Sequence, residues 1–452
     1  MAESTPARPN VIWVFGDQHR AQAQGHMGDP NVRTPHIDRL AAEGVTFTNA
    51  VAGNPWCTPF RGSLLTSRYP HKCVYRTPSQ MDPSYPTIAM AFKEVGYDTA
   101  YFGKWHLDGR SENQGRSAFH IVPRQRRGGF NTWIGYENNN SQYDCYVHGH
   151  DHRGEEVELY RLPGYETDAL TDLLIDDLHR RAADPGDASP FFAVLSVQPP
   201  HDPYIAPAEY AGRRNPADII LRPNVPDIPR IRDGARRDLC GYYAMIENLD
   251  ANLGRVRAAL AELGMSDNTH IVFFSDHGDM LGSHGYTAKS QPWEESIRIP
   301  FIIGGGVPFY GQRGGRYAAP PLNHIDIAPT TLGLCGLPTP DWMSGFDYSG
   351  YRRRDNDLPL PGEPDSAYLQ HNVRKFHSHG IDRTWRGVVT RDGWKYTCLE
   401  HQPFGLYNLN EDPFEQANLA YQPAFRKQRQ HLQDQLAAWI RETEDEFPLP
   451  TL

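Results

Sequence analysis

The chain has 452 residues, enough for one large domain and a smaller one around a substantial core. Its formal net charge is −10 with no long basic run, which sets aside sequence-independent nucleic-acid binding, a function that needs clustered lysine and arginine. No apolar run approaches about 18 residues, so no membrane span is predicted.

The start, Met1 to Asn10, is polar and proline-containing and shows no secretory signal. Asn10 to Phe15 is a compact apolar run, predicted as a buried strand of a parallel sheet, and it ends at polar Gly16-Asp17-Gln18-His19. Short amphipathic helices are predicted over Asp38 to Gly44 and Thr87 to Gly96, each stopping at glycine. Tyr97 to Phe102 is then a strand running into Gly103-Lys104-Trp105-His106, and the basic Arg124-Gln125-Arg126-Arg127 is expected as a solvated loop. Phe191 to Val197 is a strand ending in Gln198-Pro199-Pro200-His201. A long helix from about Arg237 to Leu263 precedes the strand Ile271 to Phe274, which ends in Ser275-Asp276-His277-Gly278.

Helix and strand alternate through about Leu337, the pattern of an α/β layer fold. Charged, proline-rich Tyr351 to Asp365 reads as a linker. Beyond it, strand-like Ala367 to Gln370 and Trp385 to Cys398 precede a final helix from about Ala424 to Glu442. The division expected is a catalytic α/β domain over 1–363 and a small α+β unit over 364–452. The 40 Gly and 38 Pro predict long ordered loops. Six scattered cysteines without a CxxC pair suit a reducing cytoplasm, the location expected.

Four apolar strands thus end in clusters of Asp, His, Lys or Gln, and in open α/β sheets ligands bind beyond the carboxyl ends of the strands. Asp17-Gln18 and Asp276-His277 offer carboxylate and amide oxygens, which hard divalent cations favour, and an imidazole that widens the choice toward manganese or zinc. Lys104 and His106, two apart on a strand, would address one ligand together, the lysine as a charge and the histidine as a proton carrier. His201, held among prolines, has the restricted freedom of a positioned general acid.

The most specific segment is Cys57-Thr58-Pro59-Phe60-Arg61, followed by Leu64-Leu65-Thr66-Ser67-Arg68. It resembles the signature of the type I, formylglycine-dependent sulfatases of the alkaline phosphatase superfamily, with Phe60 where serine is common and Ser67 where glycine is common. The resemblance runs from about Asn10 to Leu419. It implies an alkaline-phosphatase-like α/β/α sandwich with a large, mostly parallel sheet, plus a C-terminal subdomain with an antiparallel sheet and a terminal helix. It also implies that a formylglycine-generating enzyme converts Cys57, whose hydrated aldehyde then attacks sulfur. Asp17, Gln18, Asp276 and His277, with the residue at 57, would bind one divalent metal, calcium first, with manganese or magnesium as alternatives. Lys104 would bind sulfate and the formylglycine, and His106 would deprotonate its remaining hydroxyl so that sulfate leaves. His201 would protonate the departing alcohol, Lys289 clamp a sulfate oxygen, and Arg61 hold the formylglycine and offset oxyanion charge.

Phosphonate monoester or phosphodiester hydrolysis is the nearest alternative, disfavoured because that class tends to carry tyrosine and threonine where this chain has Lys104 and His106. If Cys57 stays a thiol, the chain would instead be a metal-dependent anion-binding protein. Aromatic and polar residues in Asn113 to His152 and Gln370 to His379 suit a sugar ring, pointing to a sulfated saccharide. His148-Gly149-His150-Asp151-His152 reads as a polar loop rather than a second metal site, and His371, His377 and His379 as candidates to reach the pocket.

Overall fold

A computed structural model describes residues 8–451, apart from 184–188, 308–314, 355–357 and 374–380. Ten strands form one sheet: β1 Asn10–Gly16, β2 Val45–Phe47, β3 Asp98–Lys104, β4 Thr132–Tyr136, β5 Tyr146–His150, β6 Glu156–Arg161, β7 Phe191–Ser196, β8 Thr269–Ser275, β9 Phe301–Gly305 and β10 Arg316–Ala318. Their order across the sheet is β10-β2-β9-β8-β1-β7-β3-β4-β5-β6. The five central strands, β8-β1-β7-β3-β4, are mutually parallel; β9 and β5 flank them antiparallel, and β6 pairs antiparallel with β5.

Alternation along β1 explains the layers. Val11, Trp13 and Phe15 point into one core, with Phe60, Leu64 and Leu65 of helix α2 (Cys57–Thr66), Phe92 of α3 (Ile88–Glu94) and Leu332 of a helix over Ile327–Leu334. Ile12 and Val14 point into the other, against Leu40 of α1 (Pro35–Glu43), Leu174 of α4 (Glu166–Ala183) and Leu253 of a long helix over Pro229–Glu262. A strand buried on both faces reads as a continuous apolar run, which is why β1, β3, β7 and β8 stood out in the sequence. The result is an α/β/α sandwich, as expected. None of its helices among the described residues is long and apolar enough to cross a membrane.

A second sheet, antiparallel in chain order, contains β11 Ser366–His371, β12 Trp385–Thr390, β13 Trp394–Leu399 and β14 Gln402–Asn408, and the terminal helix Arg426–Glu442 packs on it. The stretch Trp385 to Cys398 is therefore two strands, broken by a turn in which Gly393 takes φ +84°. The expected linker Tyr351 to Asp365 is not a free tether in its described part. Tyr351 and Leu360 are buried in the main core, and the Tyr351 hydroxyl donates to Glu363 (2.8 Å), so the segment is packed despite its charge.

Two other expectations hold only in part, because the region after β3 is a packed edge: Arg124, Gln125 and His152 are exposed, but their neighbours are not. His148 and His150 lie buried in β5, where His148 Nε2 accepts from Val122 N (2.8 Å) and His150 meets Phe130 O (3.1 Å). Arg127, expected in solvent, is buried over the Trp133 ring and paired with Glu156 (3.0 Å). All six cysteines are free thiols.

Candidate active site

Parallel strands place their carboxyl ends along one edge, so Asp17 after β1, Lys104 at the end of β3, the Gln198–His201 turn after β7 and Asp276-His277 after β8 converge there. Close backbone approach is built in. A Cβ on Gly103, which sits at φ +113°, would stand 1.9 Å from the Ser196 carbonyl of the neighbouring strand. Cys57 enters from the side as the first residue of α2, whose ten residues are all buried. The partial positive charge of that helix N-terminus favours an anionic group at residue 57.

The Cys57 sulfur lies 3.1 Å from His277 Nε2 and 3.4 Å from Asp17 Oδ1. Arg61, one turn along α2, donates from Nε to Asp276 Oδ2 (3.2 Å), from Nη2 to Asp17 Oδ2 (3.3 Å), and from Nη1 to the Lys104 carbonyl (2.9 Å) and Ser196 Oγ (2.8 Å). Lys104 Nζ meets Asp17 Oδ2 at 2.6 Å. Opposite them, Lys289 Nζ donates to Gln18 Oε1 (2.7 Å) and lies 2.6 Å from His201 Nε2. The structure thus brings Asp17, Gln18, Cys57, Arg61, Lys104, His201, Asp276, His277 and Lys289 into one connected buried cluster.

His106 reaches the same cluster by a different route from the one expected. The strand ends at Lys104 and His106 takes a left-handed φ of +58°, so the two-residue alternation of a strand does not align them. His106 is nonetheless buried in the electrostatic field of Lys104, Arg61, Asp17 and Lys289. Burial, reinforced by Lys104 and Arg61, holds it well below the usual histidine range, so it is a neutral imidazole able to accept a proton.

The carboxylates respond oppositely to their surroundings. Burial disfavours the charge on Asp17, but Lys104, His201 and Lys289 outweigh it and keep the group ionised. Burial and the charge of Asp17 raise Asp276. Burial lowers His277, yet Asp276 and the Cys57 sulfur override it and bring it up to about 9. These shifts reflect carboxylates, imidazoles and ammonium groups packed at one buried point. The ligating atoms of Asp17, Cys57, Asp276 and His277 all lie within 4.8 Å of one another, and His277 Nδ1 faces the Gly278 carbonyl (3.0 Å), leaving Nε2 for a ligand. This donor set fits a divalent cation, with the Cys57 sulfur standing where an oxygen of the matured side chain would be. Gln18 takes a left-handed φ of +72°, and its amide spans Lys289 on one side and Asp279 (2.6 Å) on the other.

Sequence reasoning missed Asp279 and Tyr204. Asp279 is buried, accepts from Gln18 Nε2 and from the Tyr204 hydroxyl (2.6 Å), and so fixes the Gln18 amide; its position three residues after Asp276 was the available signal. Among the remaining candidates, His371 ends β11 and is buried between the Trp56 and Trp385 rings, while His377 and His379 lie outside the described residues. A second group, His284, Glu295 and Glu415, has metal-like spacing, but cations match its acids. Lys395 pairs with Glu415 and Glu294, and Arg222 with Glu295 (2.7 Å), so it is an ion-pair network that joins β13 to the main body.

Comparisons with known proteins agree with this geometry. The sulfatase family model matches residues 9–337, and the model described as the C-terminal part of N-sulphoglucosamine sulphohydrolase matches residues 282–442. An ulvan-active sulfatase of Formosa agariphila is 35% identical over 449 residues, covering 98% of this chain and 83% of that protein. An N-acetylglucosamine-6-O-sulfatase of Bacteroides thetaiotaomicron is 25% identical over 521 aligned positions, covering 98% and 88%. A Bacteroides fragilis protein whose crystal structure is described as that of a sulfatase superposes with a TM-score of 0.83 at 27% identity, covering 99% of this chain and 98% of that one. Cluster, fold and full-length likeness coincide, and the chain belongs to the sulfatase family of sulfuric ester hydrolases.

Proposed function

We propose that this enzyme releases inorganic sulfate from a sulfated saccharide, with Cys57 matured to formylglycine beside a calcium ion. The observation that carries this reading is the convergence on the Cys57 sulfur of Asp17, His277 and, around them, Lys104, Lys289 and His201. Asp17, Asp276 and His277 would hold the cation with the residue at 57, and Gln18 would add its amide oxygen. Mostly oxygen donors favour calcium over zinc, with manganese or magnesium as the other candidates. The cation would supply charge stabilisation and a template for the sulfate oxygens. Once hydrated, formylglycine supplies two hydroxyls on one carbon: one takes the sulfuryl group, and the other, on losing its proton, re-forms the carbonyl as the bond to sulfate breaks.

The chain's own residues do the rest. Lys104 and Lys289 hold sulfate oxygens from two sides, and Arg61 keeps the residue at 57 and both aspartates in register. His201 gives a proton to the departing sugar oxygen, and His106, neutral at rest, takes the proton whose loss frees sulfate. A saccharide is supported by two relatives described as an ulvan-active sulfatase and an N-acetylglucosamine-6-O-sulfatase.

Sulfate release from a panel of sulfated mono- and disaccharides, with the mass of the peptide spanning Cys57, tests the proposal. Turnover of one panel member by protein carrying formylglycine is expected, with complete loss in Cys57→Ala. Activity from protein that retains the thiol would refute the mechanism. Faster hydrolysis of a phenyl phosphonate ester than of any sulfate would move the enzyme to the alternative chemistry.

A further inference from the structure

The loop carrying His106 has no helix or strand of its own: Asp108 forms an isolated bridge with Gln80, the Leu107 carbonyl accepts from Met81 N (2.9 Å), and one side chain holds its N–H groups. Trp105 N still donates to the Tyr136 carbonyl (2.7 Å), continuing the pairing of β3 with β4 up to the residue before His106. Glu137, the next residue after β4, takes over on the far side. Its carboxylate accepts from the backbone N–H groups of Leu107 (3.1 Å), Asp108 (3.0 Å to each oxygen) and Arg110 (3.3 Å). Glu137 is 0% exposed, and among the described residues no lysine or arginine pairs with it. A buried carboxylate without a counter-ion is costly; backbone N–H groups offset part of that cost here, and burial still raises Glu137 to about 7. Asp108 is pinned in turn, accepting from Gln80 Nε2 (2.9 Å) and facing His120 Nε2 (2.6 Å).

We propose that Glu137 is the positioning residue of His106: its carboxylate locks loop 107–110 so that the imidazole, at its left-handed φ, is aimed at the reacting centre. The inference rests on His106 being the base of the sulfate-freeing step. Glu137→Gln leaves one acceptor oxygen for three backbone donors and turns an NH₂ toward one of them. Glu137→Asp keeps the carboxyl group but draws it back from the loop.

The test mixes enzyme and an aryl sulfate in a single turnover and follows the freed phenol and the freed sulfate separately. His106→Ala is the reference, and amide hydrogen exchange is measured over residues 105–110. In Glu137→Gln the phenol is expected at close to the wild-type rate. Sulfate is expected to stay on the protein through a denaturing quench and to leave about a hundredfold more slowly. The amides of Leu107, Asp108 and Arg110 are expected to exchange faster, and Glu137→Asp to fall between. If His106→Ala itself frees both products together, the assignment of His106 is wrong and this inference falls with it. If His106→Ala retains sulfate while Glu137→Gln does not, Glu137 has no positioning role. A Glu137→Gln protein that gives no phenol has lost its site, and the same comparison on Glu137→Asp then decides.

Discussion

His201 and Lys289, 2.6 Å apart, set each other's protonation. Burial and the neighbouring ammonium bring His201 down to about 3, so before substrate arrives it accepts a hydrogen bond from Lys289 and carries no proton to give. A sulfate ester held by Lys289 adds negative charge beside the pair and shifts the balance toward imidazolium. The need for that proton depends on the leaving oxygen. His201→Ala should therefore slow sugar and alkyl sulfates by about 10²- to 10⁴-fold in kcat/KM and spare the sulfate of a strongly acidic phenol. A leaving-group series measures it, and a uniform loss across the series would remove His201 from the acid role. At this scale, residues that do chemistry through their own type were legible: Asp17, Cys57, Lys104 and Asp276 are unusual where a buried strand or helix begins or ends. Asp279 and Glu137 were not, because each acts by holding another group through contacts that only the folded chain creates.

Elements were legible to the extent that they alternate or run apolar. Helix α2 was not, because all ten of its residues are buried and no polar face gives it a period. Strand β5 was hidden by its short Tyr-Val-His-Gly-His sequence, whose polarity suggested solvent. Strand β11 carries a consequence of such burial. It delivers His371 between Trp56 and Trp385, where burial lowers the imidazole to about 3. In the unfolded chain the same group titrates near its ordinary value of 6.5. Its contribution to stability is therefore whole above that value and is lost as pH falls toward about 3. His371→Phe removes the titration, so relative to wild type the variant should gain about 1.4 kcal/mol for each pH unit between about pH 6 and pH 4. Urea unfolding of both proteins across that range checks it, and a constant difference would show that His371 is not buried as a neutral ring.

For the whole molecule, strand order is what makes the site. Strands β1 and β8 are neighbours with Gly16 opposite Ser275, so the residues that follow them, Asp17 and Asp276, are forced together with their charges buried. Arg61 and Lys104 pair with these carboxylates, and a divalent cation would offset the buried charge further, so metal binding and global stability are expected to be linked. Chelation should lower the melting temperature and added calcium should restore it, the cation contributing about 3 kcal/mol at a hundredfold excess over its Kd. Asp17→Asn should blunt that response. Calorimetry of chelated, metal-analysed protein is the check, and an unchanged transition after proven metal loss would refute the linkage.

The burial of the helix that begins at Cys57 also bears on when the proposed maturation of that residue could take place. Cys57 is 2% exposed, and every residue of Cys57–Thr66 is buried, which leaves little for a second protein to grip. A catalyst that converts this side chain, as proposed above, would meet it most readily before β1, β3, β7 and β8 close around it. On the proposed maturation, chains that fold first would keep the thiol at residue 57.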